Sequence, residues 1–260
     1  MIARLDWHGL KLAIDFSHGH PIAIPLDPHG RQPAFFAEGP AQARPLQVGD
    51  FTGSVAQGGS CNAEVVQFAP HCHGTHTECM GHLTAQREIV QDTIDQRPVL
   101  ARLVSLKSQL VDGQPRFRLE ALEAAMGEHT VAIRALVVRS LPNDPGKRSR
   151  DYDHNGPYPV FGPRAMDYLA AFPIKHLLLD TPSLDPANDS GRLANHRAWW
   201  CLDGREHPHR VDPARRSVTE MIFVPDELPD GFYWLHLELS PLLGEATPSR
   251  PVLYPVEIQG

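Results

Sequence analysis

The chain has 260 residues, of which 42% are hydrophobic and 21% are charged, and its net charge is −7. This size and balance are typical of a globular protein with one buried core, and we expect one domain over residues 1–260. The negative charge excludes nucleic acid as the expected partner, because no surplus of cations neutralises phosphates. No apolar run approaches the length of a membrane span, so no membrane contact is expected.

Two further features bear on the compartment. The first twenty residues mix charged and polar side chains with apolar ones, which is not the pattern of a secretory signal. The four cysteines are too few for a disulfide framework at this length. Both features predict a cytoplasmic protein with reduced thiols.

Short strands and proline-rich loops are predicted through the first half of the chain. Residues 11–17 are predicted to form a strand, and residues 21–60 are expected to be mostly loop with short strands. Residues 61–68 alternate moderately between apolar and polar and predict a strand that ends before Pro70. Residues 99–106, rich in Val and Leu, predict another strand.

The second half alternates strands with two short helices. The predicted helices cover residues 119–126, ending at Gly127, and 164–172. The predicted strands cover residues 130–139, 176–179, 220–224 and 232–239, and residues 141–163 are a long loop in which Lys147, Arg148 and Arg150 are expected to face solvent. Strands with few helices predict an α/β or α+β protein with a mostly β core.

Residues 71–82, His-Cys-His-Gly-Thr-His-Thr-Glu-Cys-Met-Gly-His, are the most informative segment. Four histidines, two cysteines and one glutamate offer the nitrogen, sulfur and oxygen lone pairs that bind zinc-like metals. The alternative is a polar loop whose histidines cap strands or meet water, and the density of the cluster disfavours it. The spacing does not match the CxxC pattern of a zinc ribbon, so a structural zinc is not expected.

Alternation along an extended backbone sorts these side chains into two sets. Cys72, His76 and Glu78 are separated by even intervals and are predicted to converge on one ion. His82 is expected to reach the same cavity from a turn. Cys79 has the opposite parity and is interpreted as a packed thiol.

A catalytic zinc usually takes three protein ligands and leaves one position open, so ligands from elsewhere are expected. His196 follows the segment 180–185, which leaves the buried strand at 176–179, and Glu220 opens the strand predicted after it. A carboxylate beside such an apolar run needs a partner. Each residue alone is more often a surface or cap residue, and their joint interpretation depends on a family resemblance.

Residues 72–82 resemble the HxGTHxDxPxH signature of the cyclase family of metal-dependent hydrolases, which includes bacterial kynurenine formamidase and isatin hydrolase. Other segments resemble this family in the same order along the chain, at 14–17, 180–185, 195–196, 219–220 and 239–252. The resemblance implies the α/β fold of that family, a β/β/α arrangement with a central barrel-like mixed sheet and flanking helices.

The resemblance also implies the roles of the site residues. The candidate metal ligands are Cys72, His76, Glu78, His196 and Glu220. They would hold one or two zinc or manganese ions, and His82 would be the catalytic acid–base residue. Cys72 stands where the family has its first His, and Glu78 stands where the family has Asp. A thiolate is a competent zinc ligand, so Cys72 is kept among the candidates.

The function implied by the resemblance is hydrolysis of a small amide, formamide, or cyclic imide or lactam by metal-activated water. Arylformamides are the best-known substrates of the family. The expected partners are a small-molecule substrate and further copies of the chain, as a homodimer or homotetramer. The alternative is a binding protein or a non-hydrolytic enzyme on the same fold, with an altered or empty metal site and an unliganded or redox-active Cys72.

Overall fold

The structure is a computed structural model that describes residues 1–37, 39–94, 98–127, 132–204 and 211–259. The strands are β1 (Ile2–Trp7), β2 (Leu10–Asp15), β3 (His20–Pro21), β4 (Gln42–Pro45), β5 (Gln47–Val48), β6 (Phe51–Thr52), β7 (Glu64–Gln67), β8 (His76–Glu78), β9 (Val99–Lys107), β10 (Gln109–Val111), β11 (Gln114–Phe117), β12 (Ala135–Leu141), β13 (Val160–Phe161), β14 (His176–Leu179), β15 (Ser217–Glu220), β16 (Gly231–Leu239) and β17 (Ala246–Gln259).

The helices are few and short. The α-helices are α1 (Val90–Thr93), α2 (Leu119–Met126), α3 (Pro163–Ala170) and α4 (Ala194–Trp199), and the 3₁₀ helices are Val55–Gln57, Met80–His82, Pro145–Ser149 and Pro213–Arg215. Within the described residues, no helix has the length and apolar character needed to cross a membrane.

Seven strands form a closed mixed barrel in the order β17–β16–β9–β12–β14–β15–β8. The barrel closes because β8 pairs with β15 on one side and with β17 on the other. β9, β12, β14 and β15 run parallel, and the remaining neighbours are antiparallel. The hairpin of β1 and β2 extends from β17 outside the barrel. This architecture confirms the predicted α/β fold with a central barrel-like mixed sheet.

The central strands are buried on both faces, which explains their nearly continuous apolar sequences. In β12, Leu136 and Val138 pack in a cluster shared with residues of α2, α3 and α4, whereas Ala135 and Val137 pack in a second cluster built mainly from strand residues. Alternate residues therefore fill the barrel interior and the layer between the barrel and the helices.

Most of the strands and helices predicted from the sequence are confirmed to within a few residues. The helix at 119–126 and the strand at 176–179 have the predicted bounds, and the strands at 11–17, 99–106 and 232–239 and the helix at 164–172 shift slightly. The strand predicted at 61–68 is limited to β7. The strand predicted at 130–139 begins at Ala135, and residues 130 and 131 lie outside the described residues.

The strand prediction at 220–224 is wrong. Glu220 ends β15 instead of opening a strand, because the backbone leaves the extended conformation at Met221, whose φ is 53°. The consequence is favourable for a site, since Glu220 lies at the end of a rigid strand directly opposite His76 of β8.

The prediction that Lys147 faces solvent is also wrong. Lys147 is buried, and its Nζ lies 2.8 Å from Asp180 Oδ2 and 2.8 Å from the carbonyl oxygen of Ser140. A buried ammonium group needs such partners. The ion pair ties the loop after β12 to the segment that leaves β14 and leads toward His196.

Lys147→Met is expected to lower the free energy of unfolding by about 3–5 kcal/mol, because it leaves the buried carboxylate of Asp180 without its cation. Urea unfolding measures the change. The double variant Lys147→Met/Asp180→Asn should lose less than Lys147→Met alone. A loss below about 1 kcal/mol for the single variant, the value of an exposed ion pair, would contradict the buried pairing.

Candidate metal centre

Strand β8 presents two ligand-type side chains on one face. His76 lies opposite Glu220 of β15, and Glu78 lies opposite Val218. Thr77 points to the other face, where its hydroxyl lies 2.7 Å from that of Thr219. The predicted parity of His76 and Glu78 agrees with this arrangement, and both side chains are fully buried.

Gly74 shapes the entry into β8. Its φ of +89° lies in the left-handed region, and a Cβ at this position would lie 3.3 Å from the carbonyl oxygen of Ile24. The carbonyl oxygen of Gly74 lies 3.1 Å from His76 Nδ1. A proton on Nδ1 donates to this carbonyl, so the lone pair of Nε2 remains for another partner.

Asp185 fixes the orientation of His196 at the start of α4. One carboxylate oxygen accepts from the backbone N–H of Asn195 at 2.7 Å, and the other contacts the backbone N–H and Nδ1 of His196 at 3.1 and 2.7 Å. His196 Nε2 consequently faces Glu78 Oε1 at 2.9 Å and Glu220 Oε1 at 3.5 Å.

Asp185→Asn is expected to weaken binding of a divalent cation by roughly 10- to 100-fold, because an amide has one acceptor oxygen in place of two and holds His196 less firmly. Calorimetric titration with zinc measures the affinity. Asp212→Asn is the matched control, since Asp212 caps a surface 3₁₀ helix in a similar way. Equal zinc affinities for Asp185→Asn and the unmodified protein would contradict the role of Asp185 in orienting His196.

The donor set suits a divalent cation. Among the described residues, three groups bring ligand atoms within 4.8 Å of one another: His71, His76 and Glu78; His71, His82 and Glu245; and Glu78, His196 and Glu220. Two atoms of this cluster, His76 Nε2 and Glu78 Oε2, are buried without an aligned hydrogen-bond partner in the described part of the chain, although Glu220 Oε2 and His71 Nδ1 lie 3.4 and 3.2 Å from them. Unpartnered buried polar atoms are costly, and a cation between them would satisfy both.

The pKa values of Glu78 and Glu220 show that both carboxylates of the cluster carry negative charge. Burial raises the pKa of Glu78, but His196 and His71 outweigh it and hold that pKa well below its ordinary value. Burial and the neighbouring Glu78 likewise raise the pKa of Glu220, whereas His196 and His76 bring it below normal. Two buried carboxylates therefore stay ionised side by side, and the positive charges of His196 and His71 offset theirs.

His82 lies at the edge of this cluster. Its Nδ1 is 3.7 Å from Glu78 Oε2, and its ring centroid is 4.5 Å from that of His71 and 5.5 Å from that of His196. Burial lowers the pKa of His82, so the imidazole is neutral and able to accept a proton at neutral pH. His82 lines a cavity together with the candidate ligands His196 and Glu220.

Cys72 is not brought together with the other predicted ligands. Its Sγ lies 3.6 Å from the carbonyl oxygen of Phe36, and burial raises the pKa of the thiol. The alternation argument fails here because residues 71–75 form turns and bends before β8 begins. His71 occupies the place beside Glu78 instead, with 3.2 Å between Nδ1 and Oε2.

Sequence reasoning missed two residues of the cluster, His71 and Glu245. Both carboxylate oxygens of Glu245 lie about 3 Å from His71 Nε2, and the backbone carbonyl of Glu245 accepts from the N–H of Cys79. Burial lowers the pKa of His71, but Glu245 and Glu78 outweigh it and raise the value to about 10. His71 was visible in the motif, whereas Glu245 had no local signal.

A cavity of about 350 Å³ adjoins the cluster. Its polar lining includes His71, His82, His196 and Glu220, and its apolar lining includes Phe35, Phe36 and Leu193. A volume of this size fits a small organic molecule, and converging polar groups on a largely apolar wall are typical of a small-molecule site.

Solved structures with the same fold cover nearly the whole chain. A predicted metal-dependent hydrolase from Bacillus stearothermophilus is 17% identical, with a TM-score of 0.58 over 91% of this chain and 98% of that one. Isatin hydrolase A from Labrenzia aggregata, bound to benzyl benzoate, is 14% identical, with a TM-score of 0.60 over 91% and 93%. An isatin hydrolase bound to the product analogue thioisatinate is 17% identical, with a TM-score of 0.59 over 92% and 93%.

Sequence comparison gives the family directly. No curated protein matches the chain. The family model Cyclase matches residues 10–186, a span that includes the His-rich segment, the strand β14 and the loop ending near Asp185. Because this match covers more than half of the sequence, the protein belongs to the Cyclase family.

Proposed function

We propose that the protein is a metal-dependent hydrolase of a small amide, formamide, or cyclic imide or lactam. The observation that carries the proposal is the convergence of two buried carboxylates and two buried histidines, with His76 Nε2 and Glu78 Oε2 lacking aligned hydrogen-bond partners among the described residues. The membership in the Cyclase family supports it, and so does the fold shared with isatin hydrolases.

His76, Glu78, His196 and Glu220 are the residues that would hold one or two divalent cations, zinc or manganese. When bound, such a cation lowers the pKa of water and polarises a carbonyl oxygen. Imidazole nitrogen and carboxylate oxygen are ligands that both metals accept. Asp185 keeps Nε2 of His196 directed at the two glutamates through the contact with Nδ1.

His82 moves the proton in this proposal. Its imidazole, kept neutral because burial lowers its pKa, takes a proton from the attacking water and returns it to the nitrogen of the leaving group. The apolar side of the cavity, including Phe35 and Phe36, favours an uncharged substrate. The substrate would be a small molecule bound in the 350 Å³ cavity.

The test is turnover of small formamides, cyclic imides and lactams by protein loaded with zinc or manganese. We expect hydrolysis of at least one class, lost on chelation and restored by the metal, with the fold retained throughout in circular dichroism. Metal binding with no turnover of any class would favour the alternative of a binding protein on this fold. Absence of metal binding would remove the proposal.

A further inference from the structure

We infer that His71 supplies the metal ligand that the family signature places at position 72, and that Glu245 holds it in position. The inference rests on the proposed function, because it concerns the same metal centre. It assigns Cys72, which stands at the signature position, to the wall of the cavity.

The first argument is the position of the His71 ring. Its Nδ1 lies 3.2 Å from Glu78 Oε2, and its ring centroid lies 5.1 Å from that of His76. One ligand atom each from His71, His76 and Glu78 lies within 4.8 Å of the other two. These three residues match in number the ligands that a catalytic zinc usually takes from protein.

The second argument is the identity of the unpartnered atoms. His76 Nε2 and Glu78 Oε2 both belong to this group of three, and in the part of the chain that the structure describes both are buried without an aligned hydrogen-bond partner. His71 Nδ1 lies close to Glu78 Oε2, yet the contact is not aligned as a hydrogen bond. The group therefore combines proximity with unused lone pairs, which is the arrangement that a cation satisfies.

The third argument is the partner on the far side of the ring. Glu245 places its two carboxylate oxygens 3.1 and 3.0 Å from His71 Nε2. Metal binding displaces one proton from His71, and the proton that this carboxylate then holds on Nε2 leaves the lone pair of Nδ1 for the cation, as in the carboxylate–histidine–metal arrangement. Glu245 is itself tied to the end of β8, because its carbonyl oxygen accepts from the N–H of Cys79 at 2.9 Å.

Cys72 is placed differently. Its Sγ lies 3.6 Å from the carbonyl oxygen of Phe36, and the thiol belongs to none of the three ligand groups among the described residues. The turn over residues 71–75 explains the exchange, because it rotates His71 toward Glu78 where an extended backbone would have directed Cys72. A cysteine at the signature position is then compatible with a working metal centre.

Cobalt(II) is the probe, because a thiolate ligand to cobalt gives an intense near-ultraviolet charge-transfer band that imidazole and carboxylate ligands do not give. We expect the cobalt-loaded protein to lack this band and Cys72→Ser to bind cobalt as the unmodified protein does. His71→Asn should weaken binding by about 100-fold or more, and Glu245→Gln by about 10- to 100-fold.

The matched controls are His29→Asn and Glu64→Gln. His29 Nε2 lies 3.0 and 3.1 Å from the two carboxylate oxygens of Glu64, a similar pairing on the surface that belongs to none of the three ligand groups found among the described residues. Both controls should leave cobalt affinity unchanged, and circular dichroism shows that every variant is folded. The cobalt spectrum of the unmodified protein tests whether Cys72 is a ligand without any substitution that could disturb folding.

Two results overturn the inference while the proposed function stands. One is a charge-transfer band that disappears in Cys72→Ser, which makes the thiol a ligand. The other is a band-free spectrum with unchanged affinity in folded His71→Asn. Failure of the unmodified protein to bind cobalt, zinc or manganese removes the metal centre, and with it both the inference and the proposed function.

Discussion

Glu78→Gln is expected to abolish binding of a divalent cation, with a loss of affinity above about 100-fold. The expected loss is large because Glu78 takes part in two of the three ligand groups among the described residues, one with His76 and one with His196, and brings a negative charge to both. An amide keeps the shape of the side chain but removes the negative charge and one acceptor oxygen. All activity should be lost with the metal.

Metal content after dialysis and thermal unfolding with and without zinc measure this prediction. Zinc at 100 times its dissociation constant should stabilise the unmodified protein by about 2.7 kcal/mol and leave Glu78→Gln unchanged. Glu238→Gln is the matched control, because Glu238 pairs with Arg250 on the surface of the barrel. A Glu78→Gln protein that retains normal metal content would show that the cation binds elsewhere.

His82→Asn is expected to lower kcat by roughly 10²- to 10⁴-fold and to leave metal content unchanged. Activity and metal binding should respond differently because His82 lines the cavity at the edge of the cluster. Its Nδ1 lies 3.7 Å from the Glu78 carboxylate, whereas the contacting nitrogens of His71 and His196 lie 3.2 and 2.9 Å away. Asparagine removes the group that accepts and returns a proton but keeps a polar side chain at the site.

Steady-state kinetics and metal analysis on the same sample decide this second prediction. His154→Asn serves as the control, since His154 is an exposed histidine that pairs with the nearby Asp151. Loss of metal together with activity in His82→Asn would make His82 a ligand, in the group that it forms with His71 and Glu245. Unchanged kcat would assign proton transfer to another residue.

Much of the barrel could be predicted from local sequence, because its central strands are apolar on both faces. The strands at 99–106 and 176–179 have no competing pattern. β17 was missed, since Pro248, Pro251 and Pro255 argue against a strand in a central position. Closure of the barrel depends on the pairing of β8 with β17, a contact between distant segments that no local pattern encodes.

The candidate site likewise has residues that the local sequence predicts and residues that it does not. The side-chain alternation that placed His76 and Glu78 together holds because these residues lie in a strand. The alternation failed for Cys72 because the backbone between Cys72 and the strand turns at Gly74, whose φ is +89°. Glu245 joins the cluster only through the pairing of β8 with the start of β17, so the sequence near it carries no sign of that role.

The most direct measurement is anomalous X-ray scattering from crystals of the protein grown with zinc or manganese. The account predicts an anomalous peak enclosed by Glu78, His76, His196 and Glu220, with His71 and not Cys72 beside it. A metal-loaded crystal whose only strong peaks lie away from these side chains would contradict it, because the buried carboxylates would then serve no cation.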